Sequence, residues 1–125
     1  MKVLGKPDAK PSRELDTFEN IAKDITVVLH CHEFTCRCPI TGQPDWATID
    51  IEYKPDKRIV ESKSVKLYLE TYREEGIFHE HLAQQILDDF VRALDPLECQ
   101  VTVRFNVRGG ISIDATTRYR RPQTA

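Results

Sequence analysis

The segment CQVTVRFNVRGGISIDATTRY, residues 99–119, consists of two alternating stretches joined around Arg-Gly-Gly. Apolar and polar residues that alternate with period two are typical of a strand with one buried face. A Gly-Gly pair between two such stretches indicates a hairpin, because glycine adopts the positive φ angles of a tight turn at little cost. The C-terminal part of the chain is therefore predicted to form a β-hairpin.

Two further strands are predicted nearer the start of the chain. DITVVLHCHEFT (24–35) is rich in β-branched residues and partly alternates, and WATIDIEYKP (46–55) alternates throughout. The residues between them contain Pro39, Gly42 and Pro44, which interrupt regular structure. We expect these two strands to pair antiparallel across this loop.

Between the two pairs of strands the apolar period becomes helical. A first helix is predicted from Ser62 to Gly76, and a second from Phe78 to Leu94, closed by Pro96. The second helix carries a stripe of core residues, namely Leu82, Ile86, Leu87, Phe90 and Leu94. The order ββααββ predicts an α+β fold, an antiparallel sheet with two helices on one face. Its open sheet edges have to be covered, and oligomerisation into a β-barrel ring would cover them.

The bulk composition limits the class of protein. A chain of 125 residues corresponds to one domain, here predicted as residues 21–125, preceded by a flexible arm over residues 1–20 that contains Pro7 and Pro11. The net charge of −2 gives no field that would recruit nucleic acid or an anionic membrane. No apolar run approaches the roughly 20 residues of a membrane span, and the N-terminus does not resemble a signal peptide. We therefore predict a cytoplasmic protein.

The loop CRCPITGQPDW (36–46) contains a candidate nucleophile and a candidate proton donor. Pro39 biases Cys38 towards an extended conformation and so holds the thiol in a defined direction. Asp45 follows the turn and is able to fold back towards it. A thiolate is a good nucleophile, and a partly buried carboxylic acid supplies protons. The alternative is a buried structural cysteine accompanied by a capping aspartate.

A metal site is a second interpretation of the same region. Five potential ligands fall within nine residues, namely His30, Cys31, His32, Cys36 and Cys38. Thiolates and imidazoles suit zinc. However, the region has no Cys-x-x-Cys pair, and a further ligand would have to come from His79 or His81.

VESKSVKLYL (60–69) stands where a helix is predicted to begin. Ser62 is a plausible N-cap, and Lys63, Ser64 and Lys66 near a helix N-terminus would favour an anion such as a nucleotide phosphate. The alternative is a solvated first turn with balanced charges.

GIFHEH (76–81) opens the second predicted helix. The Glu80 carboxylate can accept two hydrogen bonds from the N–H and NH₂ edge of a guanine-like base. Phe78 could stack on such a base and His79 could donate to it. The alternative for Glu80 is a carboxylate that stabilises the helix start.

FTCRCPITGQPDWATI, VESKSVKLYL and FHEH, in this order, closely resemble the NADPH-dependent 7-cyano-7-deazaguanine reductases of queuosine biosynthesis, a tRNA modification. These are nitrile reductases of the tunnelling fold, here of the single-module type, and the resemblance covers roughly residues 30–115. It implies that Cys38 is the nucleophile that forms a thioimide and that Asp45 is the proton donor. The positions that match substrate-binding residues are Val60, Glu61, Ser62, His79 and Glu80. Those that match cofactor-binding residues are Ser62, Lys63, Arg108 and Gly109.

The resemblance also implies the partners. NADPH is the cofactor, 7-cyano-7-deazaguanine the substrate, no metal is needed, and family members form facing pentameric rings with sites between subunits. Phe78 is added to the substrate-binding residues because it could stack on the base. Lys66 is added to the cofactor-binding residues because it could bind a phosphate. No direct contact with nucleic acid or membrane is expected. Two alternatives remain: a zinc-dependent GTP or pterin cyclohydrolase of the same fold, and a non-catalytic purine-binding module.

Overall fold

The computed structural model describes residues 2–123. The elements in this range follow one another as β1 (Thr17–Glu19), β2 (Val27–Arg37), β3 (Pro44–Lys54), β4 (Arg58–Val60), α1 (Ser62–Glu70), α2 (His79–Leu94), β5 (Glu98–Arg108) and β6 (Ile111–Arg120). Neither helix is long and apolar enough to cross a membrane, as far as these residues are concerned.

The four long strands form one antiparallel sheet in the order β2-β3-β5-β6. Alternate residues of the two central strands are buried, namely Ala47, Ile49, Ile51, Tyr53, Cys99, Val101, Val103 and Phe105. All five residues of the predicted α2 stripe are buried in the same core cluster. The predicted antiparallel sheet and the ββααββ order of the main elements are therefore confirmed.

The hairpin predicted for the C-terminal part of the chain is confirmed. Gly109 and Gly110 lie between β5 and β6 with φ angles of 59° and 80°. Both values fall in the left-handed region that glycine adopts without a steric penalty. The pairing of β5 with β6 shifts register between Phe105 and Arg108, which marks a β-bulge next to the turn.

Helix α1 differs from its prediction at both ends. Its N-cap is Glu61 rather than Ser62, because the two Glu61 carboxylate oxygens accept from the backbone N–H groups of Lys63 (2.7 Å) and Ser64 (2.8 Å). Such a cap typically contributes about 1 kcal/mol. The helix ends at Glu70, and the chain continues in turns before Gly76.

The N-terminal segment, predicted as a flexible arm over residues 1–20, contains the short strand β1. This strand pairs antiparallel with β4. The Asp16 carboxylate accepts from the backbone N–H of Val3 at 2.8 Å, and the Arg13 guanidinium lies over the Tyr72 ring at 3.8 Å. The segment is thus in contact with the domain, while its flexibility and the domain boundary stay predictions.

The two outer strands of the main sheet, β2 and β6, each pair with one neighbour. Strand β2 is interrupted by a register shift between Cys31 and Phe34, where Glu33 has a φ of 62°. Closure of the sheet edges by neighbouring chains stays a proposal.

Candidate active site

The loop from Cys38 to Gln43 connects β2 to β3 as a tight turn. Cys38 N–H donates to the Gln43 carbonyl (2.8 Å), and Gly42 N–H donates to the Cys38 carbonyl (2.9 Å). Gly42 has a φ of 74°, which the turn requires. The thiol is therefore carried by a loop whose backbone closes on the cysteine itself.

This loop is also attached to the segment that leads into α2. Arg37 N–H donates to the Glu75 carbonyl (2.9 Å), and Ile77 N–H donates to the Arg37 carbonyl (3.1 Å). Between them, a methyl group on Gly76 would lie only 3.0 Å from the Cα of Pro39. The absence of a side chain at Gly76 lets the Cys38 loop pack against the start of α2.

Cys38 differs from the other three cysteines in its electrostatic environment. Hydrogen bonds from the Thr41 hydroxyl and then from the backbone N–H groups of Thr41 and Ile40 lower the pKa of Cys38 from 9.0 to about 7. Burial raises the pKa of the other thiols, to about 11 for Cys31 and to about 12 for Cys36 and Cys99. Because the thiolate is the nucleophilic form, the lowered pKa makes Cys38 the best candidate nucleophile among the four cysteines.

Asp45 lies close to this thiol on β3, and its charge opposes the lowering of the pKa of Cys38. The Asp45 side chain is only 2% exposed. One carboxylate oxygen forms an ion pair with Arg108, and the other lies 3.3 Å from Nε2 of His79. The carboxylate is therefore buried with a partner on each oxygen, as a buried charge requires.

The partners of Asp45 are held in turn by their neighbours. The His79 ring stacks on Phe105 with centroids 3.5 Å apart and an angle of 5° between planes. Nη2 of Arg108 donates to Oε1 of Gln43 at 2.7 Å. We call Cys38, Gln43, Asp45, His79 and Arg108 the thiol–carboxylate cluster.

A second group of predicted site residues surrounds the start of α1. Ser62 and Lys66 line a cleft of about 460 Å³ between α1 and β2. Lys63 Nζ donates to the Lys6 carbonyl (3.0 Å), and Val60 N–H donates to the Tyr53 hydroxyl (3.0 Å). Exposed ammonium groups and a hydroxyl at a helix N-terminus fit the phosphates of a nucleotide cofactor.

The family model for the QueF-like protein family matches residues 44–124, which is more than half of the chain. The chain belongs to this family. A protein of Frankia casuarinae named NADPH-dependent 7-cyano-7-deazaguanine reductase is 60% identical over 118 residues, which cover 94% of each chain. A protein of Syntrophus aciditrophicus with the same name is 54% identical over 124 residues, covering 98% of this chain and 88% of the relative. The predicted resemblance to this reductase family is confirmed.

The fold is similar to a crystal structure of the archaeosine synthase QueF-Like in the apo form. The match has a TM-score of 0.68 at 22% identity and covers 79% of this chain and 95% of that chain. At this identity the similarity supports the fold alone.

Hydrogen bonds and ion pairs join some of the residues predicted from the family motifs, and others lie outside this network. Cys38, Asp45, His79 and Arg108 meet in the thiol–carboxylate cluster. Within residues 2–123, no hydrogen bond or ion pair connects this cluster to the group at the start of α1. Phe78, 49% exposed, and Glu80, also exposed, stand at the start of α2, and Gly109 lies in the hairpin turn beside Arg108.

Three residues that shape the cluster are absent from the predictions. Thr41 and Gln43 lie in the loop CRCPITGQPDW (36–46), where only the proline and glycine residues indicate a turn. In the sequence, Phe105 has the pattern of an ordinary core residue of a strand. Its stacking on His79 is seen only in the structure.

The potential zinc ligands do not converge. In the part of the chain that the structure describes, no group of three His, Cys, Asp or Glu side chains is placed to hold a metal ion. His30 instead contacts Asp50, with Nδ1 and Oδ1 2.6 Å apart, and Cys36 is fully buried in the core. The zinc hypothesis is therefore not favoured.

Proposed function

We propose that this protein catalyses the NADPH-dependent reduction of the nitrile 7-cyano-7-deazaguanine to the primary amine 7-aminomethyl-7-deazaguanine, in queuosine biosynthesis. The observation that carries the proposal is Cys38, the one thiol of the four whose pKa is lowered, beside the buried Asp45. The names of the close relatives support the same substrate and cofactor.

The proposed chemistry begins with addition of the Cys38 thiolate to the electrophilic nitrile carbon. Negative charge then develops on the nitrile nitrogen. Asp45 is proposed to accept the thiol proton as the thiolate forms and to donate that proton to the nitrogen. The product is a thioimide in which Cys38 is covalently bonded to the substrate. NADPH, when bound, supplies hydride, and two are needed for each turnover because conversion of a nitrile to an amine takes up four electrons.

The proposed binding residues form two sets. The substrate set consists of Val60, Glu61, Ser62, Phe78, His79 and Glu80. The cofactor set consists of Ser62, Lys63, Lys66, Arg108 and Gly109. The exposure of Phe78 and Glu80 at the start of α2 leaves both free to contact a purine-like base. Glu61 would organise the site through α1, because both of its oxygens cap that helix.

We further propose that complete sites form between subunits of a homo-oligomer, as paired pentamers. Two observations support this assembly. Within residues 2–123, no hydrogen bond or ion pair joins the residues near α1 to the thiol–carboxylate cluster, and β2 and β6 are the outer strands of the main sheet, with one neighbouring strand each. We propose a cytoplasmic location from the sequence alone.

The test is a pair of measurements on purified protein. NADPH oxidation should depend on the nitrile, with two NADPH consumed for each amine detected by mass spectrometry. Incubation with the nitrile alone should raise the protein mass by one substrate, and Cys38→Ala should abolish both signals while it remains folded. Absence of the adduct from the wild type, or zinc-dependent turnover of GTP in its place, would contradict the proposal.

A further inference from the structure

Arg37 is the last residue of β2 and directly precedes Cys38. Its backbone pairs with Pro44 of β3 on one side and forms an isolated parallel bridge with Gly76 on the other. Both hydrogen bonds of this bridge are made by Arg37 itself, one through its N–H group and one through its carbonyl. The base of the Cys38 loop is therefore fixed from two sides by the backbone of Arg37.

The Arg37 side chain makes a further connection, at the opposite end of the loop. Nη1 donates to the Gly42 carbonyl at 2.9 Å, and Nε and Nη2 donate to Oε2 of Glu74 at 2.9 and 2.6 Å. A guanidinium group is planar and its N–H groups point in fixed directions, so these contacts define where the Gly42 carbonyl lies relative to Glu74. The side chain of Arg37 thus joins the far end of the loop to the segment between α1 and α2.

The donors that stabilise the thiolate lie between these two attachments. They are the hydroxyl and N–H groups of Thr41 and the N–H group of Ile40, a residue whose side chain is 79% exposed. A loop with an exposed tip has few buried contacts of its own to hold it in one conformation. The arrangement of its donors around the sulfur therefore depends on how the two ends of the loop are held.

The alternative for Arg37 is a surface ion pair with Glu74 that has no bearing on the thiol. The two side chains are 39% and 75% exposed, and ion pairs between exposed groups contribute little to stability. The bond to the Gly42 carbonyl distinguishes Arg37 from such a pair, because it acts on the loop that carries Cys38. Loss of this bond is felt at the sulfur even where the stability of the whole domain hardly changes.

From these contacts we propose that Arg37 is a positioning residue for the thiol, whose guanidinium holds the Cys38 loop in the conformation from which the thiolate adds to the nitrile. The inference rests on the proposed function and gives a role to a residue outside the substrate and cofactor sets. In the addition, the Sγ–C bond forms and one π pair of the C≡N bond moves to the nitrogen. The nitrogen takes up the proton that left the thiol by way of Asp45. No electrons are gained or lost, and no further reactant enters.

Loss of the guanidinium should change the reactivity of the sulfur and leave the binding of both ligands unchanged. Without the bond to Gly42, the donors in the loop move away from the sulfur, so the pKa of Cys38 rises and its thiolate fraction at pH 7 falls. The direction from which the sulfur meets the nitrile also changes, and displacement of a reacting group by about 1 Å can cost on the order of a hundredfold in rate.

The experiment compares the wild type with Arg37→Met and Arg37→Lys. The matched control is Arg58→Met, since Arg58 is an exposed arginine that likewise donates to a backbone carbonyl, that of Ala93. The first measurement is the pH profile of alkylation by iodoacetamide, with Cys38→Ala identifying the signal of this thiol. The second is thioimide formation by rapid quench and intact mass, with nitrile at saturation and without NADPH.

We expect Arg37→Met to raise the midpoint of the alkylation profile and to slow alkylation at pH 7 by about threefold or more, since one pKa unit corresponds to a factor of ten. Thioimide formation should slow by about tenfold, with the KM for NADPH and the nitrile affinity, measured in the Cys38→Ala background, within about twofold of wild type. Arg37→Lys should recover part of both rates, because one ammonium group replaces part of the planar fork. Arg58→Met should match the wild type.

Two outcomes would overturn the inference. One is a wild-type alkylation profile in Arg37→Met, whatever the rate of adduct formation. The other is a defect confined to nitrile affinity or to the KM for NADPH. If Arg37→Met does not fold, a wild-type alkylation profile in Arg37→Lys is equally decisive. Failure of the wild type to form any adduct would instead refute the proposed function, while the alkylation profiles would still test whether Arg37 holds the Cys38 loop.

Discussion

At the scale of single residues, the donors around one sulfur atom distinguish Cys38 from the other cysteines. Cys31, Cys36 and Cys99 lie in apolar surroundings that penalise the charged thiolate. Cys38 sits in a turn whose Thr41 hydroxyl and backbone N–H groups lower the pKa of the thiol. Because the pKa of Cys38 is lowered to about 7, its thiolate fraction, and with it the rate of alkylation, should rise as the pH passes through the neutral range.

Replacement of Thr41 by valine removes the largest of these favourable contacts. The pKa of Cys38 should therefore rise towards its ordinary value, and the thiolate fraction at pH 7 should fall. We expect alkylation by iodoacetamide at pH 7 to slow by about three- to tenfold, since one pKa unit corresponds to a factor of ten. The measurement is the pH profile of alkylation, with Thr48→Val on β3 as the matched control. An unchanged midpoint in Thr41→Val would contradict the assignment of the hydroxyl as a donor.

A second prediction concerns Glu80 in the first turn of α2. If its carboxylate pairs with the N–H and NH₂ edge of the substrate, Glu80→Leu leaves those donors unpaired, at a cost of about 1–3 kcal/mol or more. Nitrile affinity should fall by about tenfold or more, with NADPH affinity unchanged. Calorimetry in the Cys38→Ala background removes covalent trapping, and Asp88→Leu, exposed on the same helix, is the control. Equal affinities with and without Glu80 would leave it a helix-start carboxylate.

At the scale of elements, the relation between the Cys38 loop and α2 depends on close packing. Because a methyl group on Gly76 would lie 3.0 Å from the Cα of Pro39, Gly76→Ala should push the loop away from His79 and Asp45. We expect slower thioimide formation, by about tenfold, with nitrile affinity nearly unchanged. The clash is with the Cα of Pro39, so addition of Pro39→Ala should not restore the rate. Recovery in that double variant would show that the proline ring, and not the backbone, makes the contact.

The elements that could be predicted from the sequence are those in which buried apolar residues recur at a regular spacing over many residues. Strands β2, β3, β5 and β6 and helix α2 each repeat an apolar pattern often enough for the period to be recognised. Strands β1 and β4 have three residues each and no period, and they pair only because the fold brings them together. The Glu61 cap was not predicted because the adjacent serine is the commoner type of capping residue.

In the candidate site, too, local sequence patterns could be recognised, whereas long-range contacts could not. Cys38, Asp45 and His79 could be selected from local chemistry and from the resemblance of their motifs to the reductase family. Arg108 could be selected by resemblance, but its contact with Asp45 depends on the bulge in β5, which alternation does not reveal. Long-range pairings of this kind are set by backbone register, and a single sequence contains no direct signal for them.

At the scale of the whole molecule, the proposed subunit interface predicts complementation. Cys38→Ala lacks the nucleophile, and the Lys63→Gln, Lys66→Gln double variant lacks the proposed phosphate contacts. If each site combines the two groups from different chains of a ring, mixed oligomers should contain about a quarter of intact sites after random assembly. The measurement is nitrile-dependent NADPH oxidation after co-expression of the two variants. Activity no greater than that of the separate variants would place both groups of one site in the same chain.

The attachment of the N-terminal segment to α1 has a consequence for synthesis on the ribosome. Arg13 bonds to Thr71, 58 residues later in the chain, and β1 pairs with β4. Residues 2–19 therefore leave the exit tunnel before residues 58–75, against which they dock, have followed them. During that interval this segment stays accessible to proteases and chaperones. Its protection therefore depends on residues that are synthesised well after it.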